Sequence, residues 1–495
     1  MTRLLACAPI GLVVFIAVLT LAAFSLKAGA IGDDGVMLWV GAIAAGDGDM
    51  SIGRILAAYP TVPFLATSLM QVVTPAGTPT PALLAAGLAG LLAVAWFLSL
   101  RGAGLAPLAA GTASLLIAFH PALLRAAVAG PAEMFLIVFL YILGTALYDL
   151  RARSGVSEVM AVGLALVGLA FAHPIGAALA FAATPFLILA VRPQLVANSA
   201  GNVVLALVFP VIFCAGAFAY TSWVFPGSGW SFFVAPSASL ASWTAGVSPL
   251  LGERFGGMAA LNAALTVALA LVLAAPVAPV ALARVYRRRP LIAPALVIAA
   301  AVVAAAALAV SAGLFGEPAI LVAAAPVLAA IVLVRVPMVR ERLATVMVLL
   351  ALGWAGGGAA LVLADPRGAA LMHLALAGGR GDRQEIDALA LGGATVGRDG
   401  ILVDSDNAPA VVLGRGRSRG LLSPSDEAFA FALMFSRIDT PLVAVPSPDT
   451  RIGARDRLNK AFPLLYRRGA PGYRLVYQNE SWRLYARNEA GSSLK

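Results

Sequence analysis

Polar positions are rare along most of this chain, and they are clumped. Long runs of Ala, Leu, Val and Gly are broken by short stretches that carry arginines, acids and prolines. Apolar runs fall near residues 4–25, 58–74, 81–100, 104–120, 131–149, 158–172, 174–191, 200–223, 257–283, 291–314, 317–335 and 343–364. A helix needs about 20 apolar residues to cross a bilayer, so the longer runs predict membrane-spanning helices and the shorter ones predict them more weakly. The pattern changes after Asp365, where short apolar segments alternate with polar turns. Gly400 to Asp404, Ala410 to Leu413 and Pro441 to Val445 predict buried strands, and Asp426 to Arg437 predicts a helix N-capped by Ser423 or Ser425. Large residues from Tyr473 to Tyr485 alternate on either side of Gln478-Asn479-Glu480-Ser481 and predict a hairpin. The expected architecture is a polytopic α-helical membrane domain over residues 1–364, with about 11–13 helices, followed by a small α/β soluble domain over residues 365–495.

Basic residues set the expected orientation. Arg151 and Arg153, Arg192, Arg284 with Arg287 to Arg289, and Arg335 with Arg340 and Arg342 follow apolar runs, and such clusters stay in the cytoplasm. The last crossing then runs outward and leaves the tail after Asp365 on the far side. Counting twelve crossings forward from Thr2-Arg3 returns the tail inside, so the two counts differ by one. The later clusters carry more charge, so 58–74, with Pro60, Pro63 and Pro75 around it, or 104–120 is expected to be re-entrant or miscounted. Residues 1–30 have a basic start and a small-residue end at Ala28-Gly29-Ala30, but the apolar stretch is longer than a usual signal-peptide core. It is read as a retained first helix.

Composition agrees with the pattern. The 495 residues are 61% hydrophobic and 12% charged, against roughly 45–50% and about 25% in ordinary soluble domains. The net charge of +10 is explained by topology-setting clusters, and no aromatic-basic motif points to nucleic acid. Cys7 and Cys214 both lie in apolar runs, which gives neither a disulfide framework nor a metal knuckle.

Candidate chemistry gathers at the ends of the apolar runs. Asp33-Asp34 directly follow the first crossing, where a carboxylate can serve as general base to an acceptor; a solvated acidic helix start is the plainer alternative. Tyr59 leads a proline-bearing helix entrance, which needs only a structural explanation. Phe119 to Glu133 form a polar break in which Arg125 can hold a phosphate and Glu133 can orient it, or the two can pair as a structural ion pair. His120, His173 and His373 share no metal-ligand spacing and read as satisfied structural histidines. The loops 26–57 and 224–256 stand out as non-cytoplasmic, the second with Trp230, Phe232, Phe233 and Trp243 forming an interfacial belt or a cover for a lipid-linked substrate. The C-terminal domain shows no phosphate loop, metal cluster or Ser/His/Asp constellation, so no chemistry is assigned to it.

Taken in order, these segments resemble the GT-C glycosyltransferase superfamily, in the branch of the dolichyl-phosphate-mannose-protein mannosyltransferases and aminoarabinose lipid A transferases. Asp33-Asp34 is similar to that family's acidic pair after the first helix, and Tyr59-Pro60-Thr61-Val62-Pro63-Phe64 to its Tyr-Pro-Pro-leading second helix. Arg125 to Glu133 resembles its arginine segment ending in an acid, and Ala172-His173-Pro174-Ile175-Gly176 falls where it often has an Arg-Pro or His-Pro turn. Two departures are visible: Asp-Asp stands for the commoner Asp-Glu, and Thr61 for the second proline. The resemblance implies a GT-C-like fold in the bacterial inner membrane with a periplasmic C-terminal domain. It implies transfer of a sugar from a polyprenyl-phosphate donor to a lipid or glycan acceptor of the cell envelope. Asp33 or Asp34 is then catalytic, and Arg54, Tyr59, Arg125, Glu133 and His173 bind substrate. A donor already attached to lipid accounts for the missing nucleotide-binding fingerprint. No metal ligands and no cofactor are assigned, a divalent cation being left open. The rival expectations are a transporter or flippase of a lipid-linked glycan, and a non-catalytic assembly factor that keeps the fold.

Overall fold

The computed structural model describes residues 2–27, 33–50, 52–75, 77–224, 259–311, 319–336, 342–364, 369, 372–373, 376–377, 383–424 and 426–488. The chain is mostly helical, with a small sheet in its C-terminal region. Its first eleven α-helices are α1 Thr2–Lys27, α2 Asp33–Asp47, α3 Ile52–Ala57, α4 Thr61–Val73, α5 Thr80–Gly102, α6 Pro107–Ala118, α7 Pro121–Ala129, α8 Pro131–Arg153, α9 Val156–Ala172, α10 Pro174–Ala183 and α11 Pro193–Val224. Among the described residues six helices are long and apolar enough to cross a membrane: Ala8–Lys27, Thr80–Gly102, Pro131–Arg153, Pro193–Thr221, Pro290–Ser311 and Leu343–Ala364. Two bent pairs raise this to eight if each is one span: Pro107–Ala118 with Pro121–Ala129, bent by 56°, and Ala260–Ala274 with Val277–Arg284, bent by 83°. Five more apolar helices are shorter, at 10–17 residues.

Several expected runs are therefore interrupted, and prolines explain where. Run 104–120 ends at the His120-Pro121 break, and 257–283 turns at Ala275-Pro276, because a proline ring cannot continue the preceding helical turn. Run 58–74 is helical only from Thr61 to Val73, and 174–191 passes into a 3₁₀ turn at Thr184–Ala190. The aromatic loop with Trp230, Phe232, Phe233 and Trp243 lies outside the described residues, as do the side chains of Asp33, Asp34 and Arg54.

The chain divides into two compact units. The first comprises residues 1–23, 56–64 and 82–373. Small residues let its helices meet backbone to backbone, as is usual where hydrocarbon surrounds the helices and packing must bring them together. A methyl group on Gly90 would come within 2.8 Å of Gly11 O, so α1 and α5 touch there without intervening side chains. The same device recurs along helix Leu343–Ala364, where a methyl on Gly356 would meet Leu273 O at 2.1 Å and one on Gly353 would meet Ala274 O at 2.7 Å. At the 83° bend, Ala278 N turns to Ala275 O, which removes the usual partner of Ala274 O. His120 fills the gap: its Nε2 lies 3.1 Å from both Ala274 O and Gly353 O, while its Nδ1 accepts from Ala122 N at 3.2 Å. Trp354 Nε1 donates to Phe119 O at 2.7 Å. Broken helices are tolerated in apolar surroundings only where such groups re-satisfy the freed backbone. The expectation that His120 is a satisfied structural histidine agrees with this geometry.

The second unit comprises residues 24–55, 65–81 and 374–495. Its five-stranded sheet has the order β2-β1-β3-β5-β4, formed by β1 Ile401–Leu402, β2 Leu421–Leu422, β3 Leu442–Pro446, β4 Tyr473–Gln478 and β5 Trp482–Arg487. β1 lies parallel to β2 and β3, whereas β5 lies antiparallel to β3 and β4. The expected strands at 400–404 and 441–445 and the expected hairpin are all present. Ala410 to Leu413 is instead helical, within Pro409–Arg415. A four-residue apolar run cannot separate strand from buried helix by periodicity, and Pro409 at the first helical turn decides for the helix. The helix after β2 runs from Glu427 to Met434 with Asp426 at its N-cap position, not Ser423; Ser425 lies outside the described residues. Ser423 N and Oγ both donate to Asp426 Oδ2, at 2.6 and 2.9 Å, so the serine holds the acid. Trp39 and Ile43 of α2 are buried in the core of this unit with Ile401, Val411, Trp482 and Leu484.

Candidate functional site

In the first unit, α7 and α8 are joined by a single residue, Gly130, whose φ of 136° is a conformation that side-chain-bearing residues rarely adopt. The sharp turn brings Glu133, in the first turn of α8, back against Arg125 of α7. Arg125 Nη1 donates to Glu133 Oε1 at 2.5 Å and Oε2 at 2.6 Å. The two side chains are only 11% and 9% exposed. The N-terminus of α8 further favours a negative group at this position. A buried pair of this kind is costly to assemble and costlier to break, about 3–5 kcal/mol for loss of one partner.

The second helix break is built in the same way. His173 has extended backbone after α9 and caps α10, its Nδ1 accepting from Ile175 N at 3.1 Å. His120 and His173 are thus paired occurrences of one device, a histidine N-cap followed by proline at the first helical position. They differ at the other nitrogen, since His173 Nε2 makes no hydrogen bond among the described residues, although the side chain is buried. Arg125 lies within electrostatic range of His173.

Tyr59 belongs to the same neighbourhood. Its hydroxyl donates to Ala170 O at 3.1 Å. Ala170 stands four residues before Pro174, which has no N–H to offer that carbonyl, so the tyrosine satisfies the last turn of α9. The Tyr59 ring meets Phe218 edge-on at 5.6 Å between centroids, and Phe171 packs on Phe218 at 4.8 Å. Tyr59 and His173 both act at the end of α9, and Arg125, paired with Glu133, is within electrostatic range of His173. Asp33 and Asp34 open α2, and Arg54 lies in α3; both helix segments belong to the second unit.

Two groupings in the second unit escaped the sequence reading. Asp404 follows β1 and Asp456 caps the short helix Arg457–Ala461; both are buried. Asp456 Oδ1 accepts from Asn459 N at 2.7 Å, and Asp404 Oδ2 accepts from Arg457 N at 2.9 Å. Asp456 Oδ2 and Asp404 Oδ1 make no hydrogen bond among the described residues. Burial, reinforced by the charge of Asp404, pushes Asp456 up to about 7, and burial also raises Asp404. The two acids are 52 positions apart, so no local motif announces them. The other grouping is the loop Gly414-Arg415-Gly416-Arg417-Ser418-Arg419-Gly420, whose alternation of arginine with small residues was a usable signal. Among the described residues no group of three or more His, Cys, Asp or Glu is arranged to hold a metal ion.

No protein-family model and no curated protein matches the chain.

Proposed function

We propose that this protein is a GT-C-like glycosyltransferase of the bacterial cytoplasmic membrane, with about 11–13 crossings and a periplasmic C-terminal domain. In this reading it moves a sugar from a polyprenyl-phosphate donor to a lipid or glycan acceptor of the cell envelope. The observation that supports it most is the buried Arg125–Glu133 pair within electrostatic range of His173, because ionised groups within an apolar helical unit are expensive and are kept where they do work. Arginine suits a carrier phosphate because its planar donors match two oxygens. Glu133 fixes the guanidinium, and the arginine holds the phosphate.

In the reaction, Asp33 or Asp34 takes the proton from the acceptor hydroxyl or amine as that atom forms its bond to the anomeric carbon. The bond from that carbon to the phosphate oxygen breaks, and polyprenyl phosphate leaves with the electron pair. Asparagine keeps the shape of either acid but cannot accept the proton. Asp33→Asn and Asp34→Asn are expected to insert normally, and at least one should slow transfer by roughly 10²- to 10⁴-fold in membranes supplied with lipid-linked donor. Full activity in both would place the base elsewhere, with Asp47 and Asp49 next to test. Lipid profiling gives a second check: loss of one glycan with build-up of its carrier-linked donor supports transfer, whereas a lipid stranded on the wrong leaflet indicates transport.

A further inference from the structure

The loop Gly414 to Gly420 borders an open cleft of about 990 Å³, lined also by Gly77, Val396, Gly397, Asp399 and Leu413. Its three arginines have different surroundings. Arg415 is buried and acts as a strut, donating to Thr395 O at 2.7 Å, Arg419 O at 3.0 Å and Asp399 Oδ1 at 3.1 Å. Arg417 and Arg419 are exposed, and neither side chain has a hydrogen bond or ion pair among the described residues.

The backbone between them is fixed from behind. Asp47 Oδ2 accepts from Ser418 N at 2.7 Å and from Arg419 N at 3.3 Å. Ser418 Oγ lies 3.0 Å from Asp47 Oδ2 and 2.6 Å from Asp49 Oδ2, donating to one at a time. Gly416 and Gly420 have φ of 71° and 84°, and a methyl on Gly420 would come within 2.1 Å of Asp399 Oδ1. The acids are thus engaged, Asp47 and Asp49 on Ser418 and Asp399 on Arg415. Arg417 and Arg419 line the cleft two residues apart on an anchored loop, without a side-chain partner among the described residues, and the carboxylates of Asp47 and Asp49 are held at Ser418 between them. An anion in the cleft meets two guanidinium groups whose donors no described protein group occupies, and hydrogen bonds from such charged donors are the strong ones.

We propose that this cleft is an anion site of the soluble unit, with Arg417 and Arg419 gripping the oxygens of a phosphate group borne by a lipid or free in solution. Forked arginine donors favour phosphate or carboxylate oxygens over a simple halide, and the cleft leaves room for a substituent on the phosphate. This site does not depend on the glycosyl-transfer reading.

The test uses the full chain in detergent and reads the two side chains directly. Phenylglyoxal modifies accessible arginines, and mass spectrometry of the peptides gives the rate at each position. Inorganic phosphate and farnesyl phosphate are the two probes, with exposed Arg455 as internal control. At least one probe should slow modification of Arg417 and Arg419 fivefold or more while leaving Arg455 unchanged, and the protection should weaken as salt is raised. Protection by farnesyl phosphate at tenfold lower concentration assigns a lipid phosphate; equal potency assigns free phosphate. In R417Q and in R419Q the remaining arginine should lose most of its protection, whereas R417K should retain it. Protection below fivefold with both probes overturns the site. That result leaves the transfer assay untouched, just as loss of transfer in Asp33→Asn leaves this site standing.

Discussion

Arg125 holds both carboxylate oxygens of Glu133 through one nitrogen, at 2.5 and 2.6 Å, across a turn made by a single glycine. Removing either side chain takes from the other a buried opposite charge at hydrogen-bond distance. Arg125→Met and Glu133→Gln should each destabilise the protein by about 3–5 kcal/mol. The double variant should cost less than the sum by about 1–3 kcal/mol. Unfolding in mixed micelles measures all four forms, and strict additivity would mean that the contact carries no energy.

His120 and Gly357 give a packing test with its own control. A methyl on Gly357 would stand 2.4 Å from His120 Cε1, while one on the next residue, Gly358, meets nothing within 4 Å. Gly357→Ala should destabilise by about 1–3 kcal/mol through forced displacement of a ring that bridges two carbonyls. Gly358→Ala should be neutral or stabilising by up to about 1 kcal/mol, since alanine is the better helix former. Thermal melts of the two variants should therefore move apart, and equal melting temperatures would contradict the packing.

Asp456 sets a pH dependence whose sign follows from its surroundings. Burial first, and Asp404 second, raise it to about 7, whereas an unfolded chain releases that proton near 3.9. Between those values the folded state holds more protons than the unfolded one, so stability is greatest at the acidic end and falls as pH rises through about 7. The second unit of the full chain should melt at higher temperature at pH 5 than at pH 8. Asp456→Asn keeps an oxygen for Asn459 N and should abolish most of that difference; an unchanged difference would assign it to other groups.

The side on which the tail resides has a direct readout. A phosphatase fused after Lys495 should be active in intact cells, as the basic clusters at Arg284 to Arg289 and Arg335 to Arg342 require. Fluorescence of a cytoplasmic reporter with no phosphatase activity would reverse the topology and remove the periplasmic reading.

What the sequence revealed depended on range. The hairpin from Tyr473 to Arg487 was legible because strand alternation and its turn are local, whereas residues 26–57, expected as a loop, carry the helices α2 and α3. Arg125 and Glu133 were recognisable as a pair eight residues apart. The partners of His120 were not, since Ala274 and Gly353 lie 154 and 233 positions away and contribute only backbone oxygens. Tyr59 looked like a helix entrance, and its role on the carbonyl released by Pro174 needed the packing of α9. The helix at Pro409–Arg415 was missed because a short apolar run carries no period.

The placement of α2 has a consequence for how the protein is made. Trp39 and Ile43 share a buried core with residues that begin at Ala388, and Asp47 waits for Ser418, 371 positions later. At roughly 5–20 residues per second, synthesis of that interval takes on the order of 20–70 s. During that time Trp39 and Ile43 lack their core partners from Ala388 to Leu484. A chain cut short before the last strands would leave Trp39 and Ile43 without Trp482 and Leu484, so the cover of one of the first helices is completed only when β5 has been made.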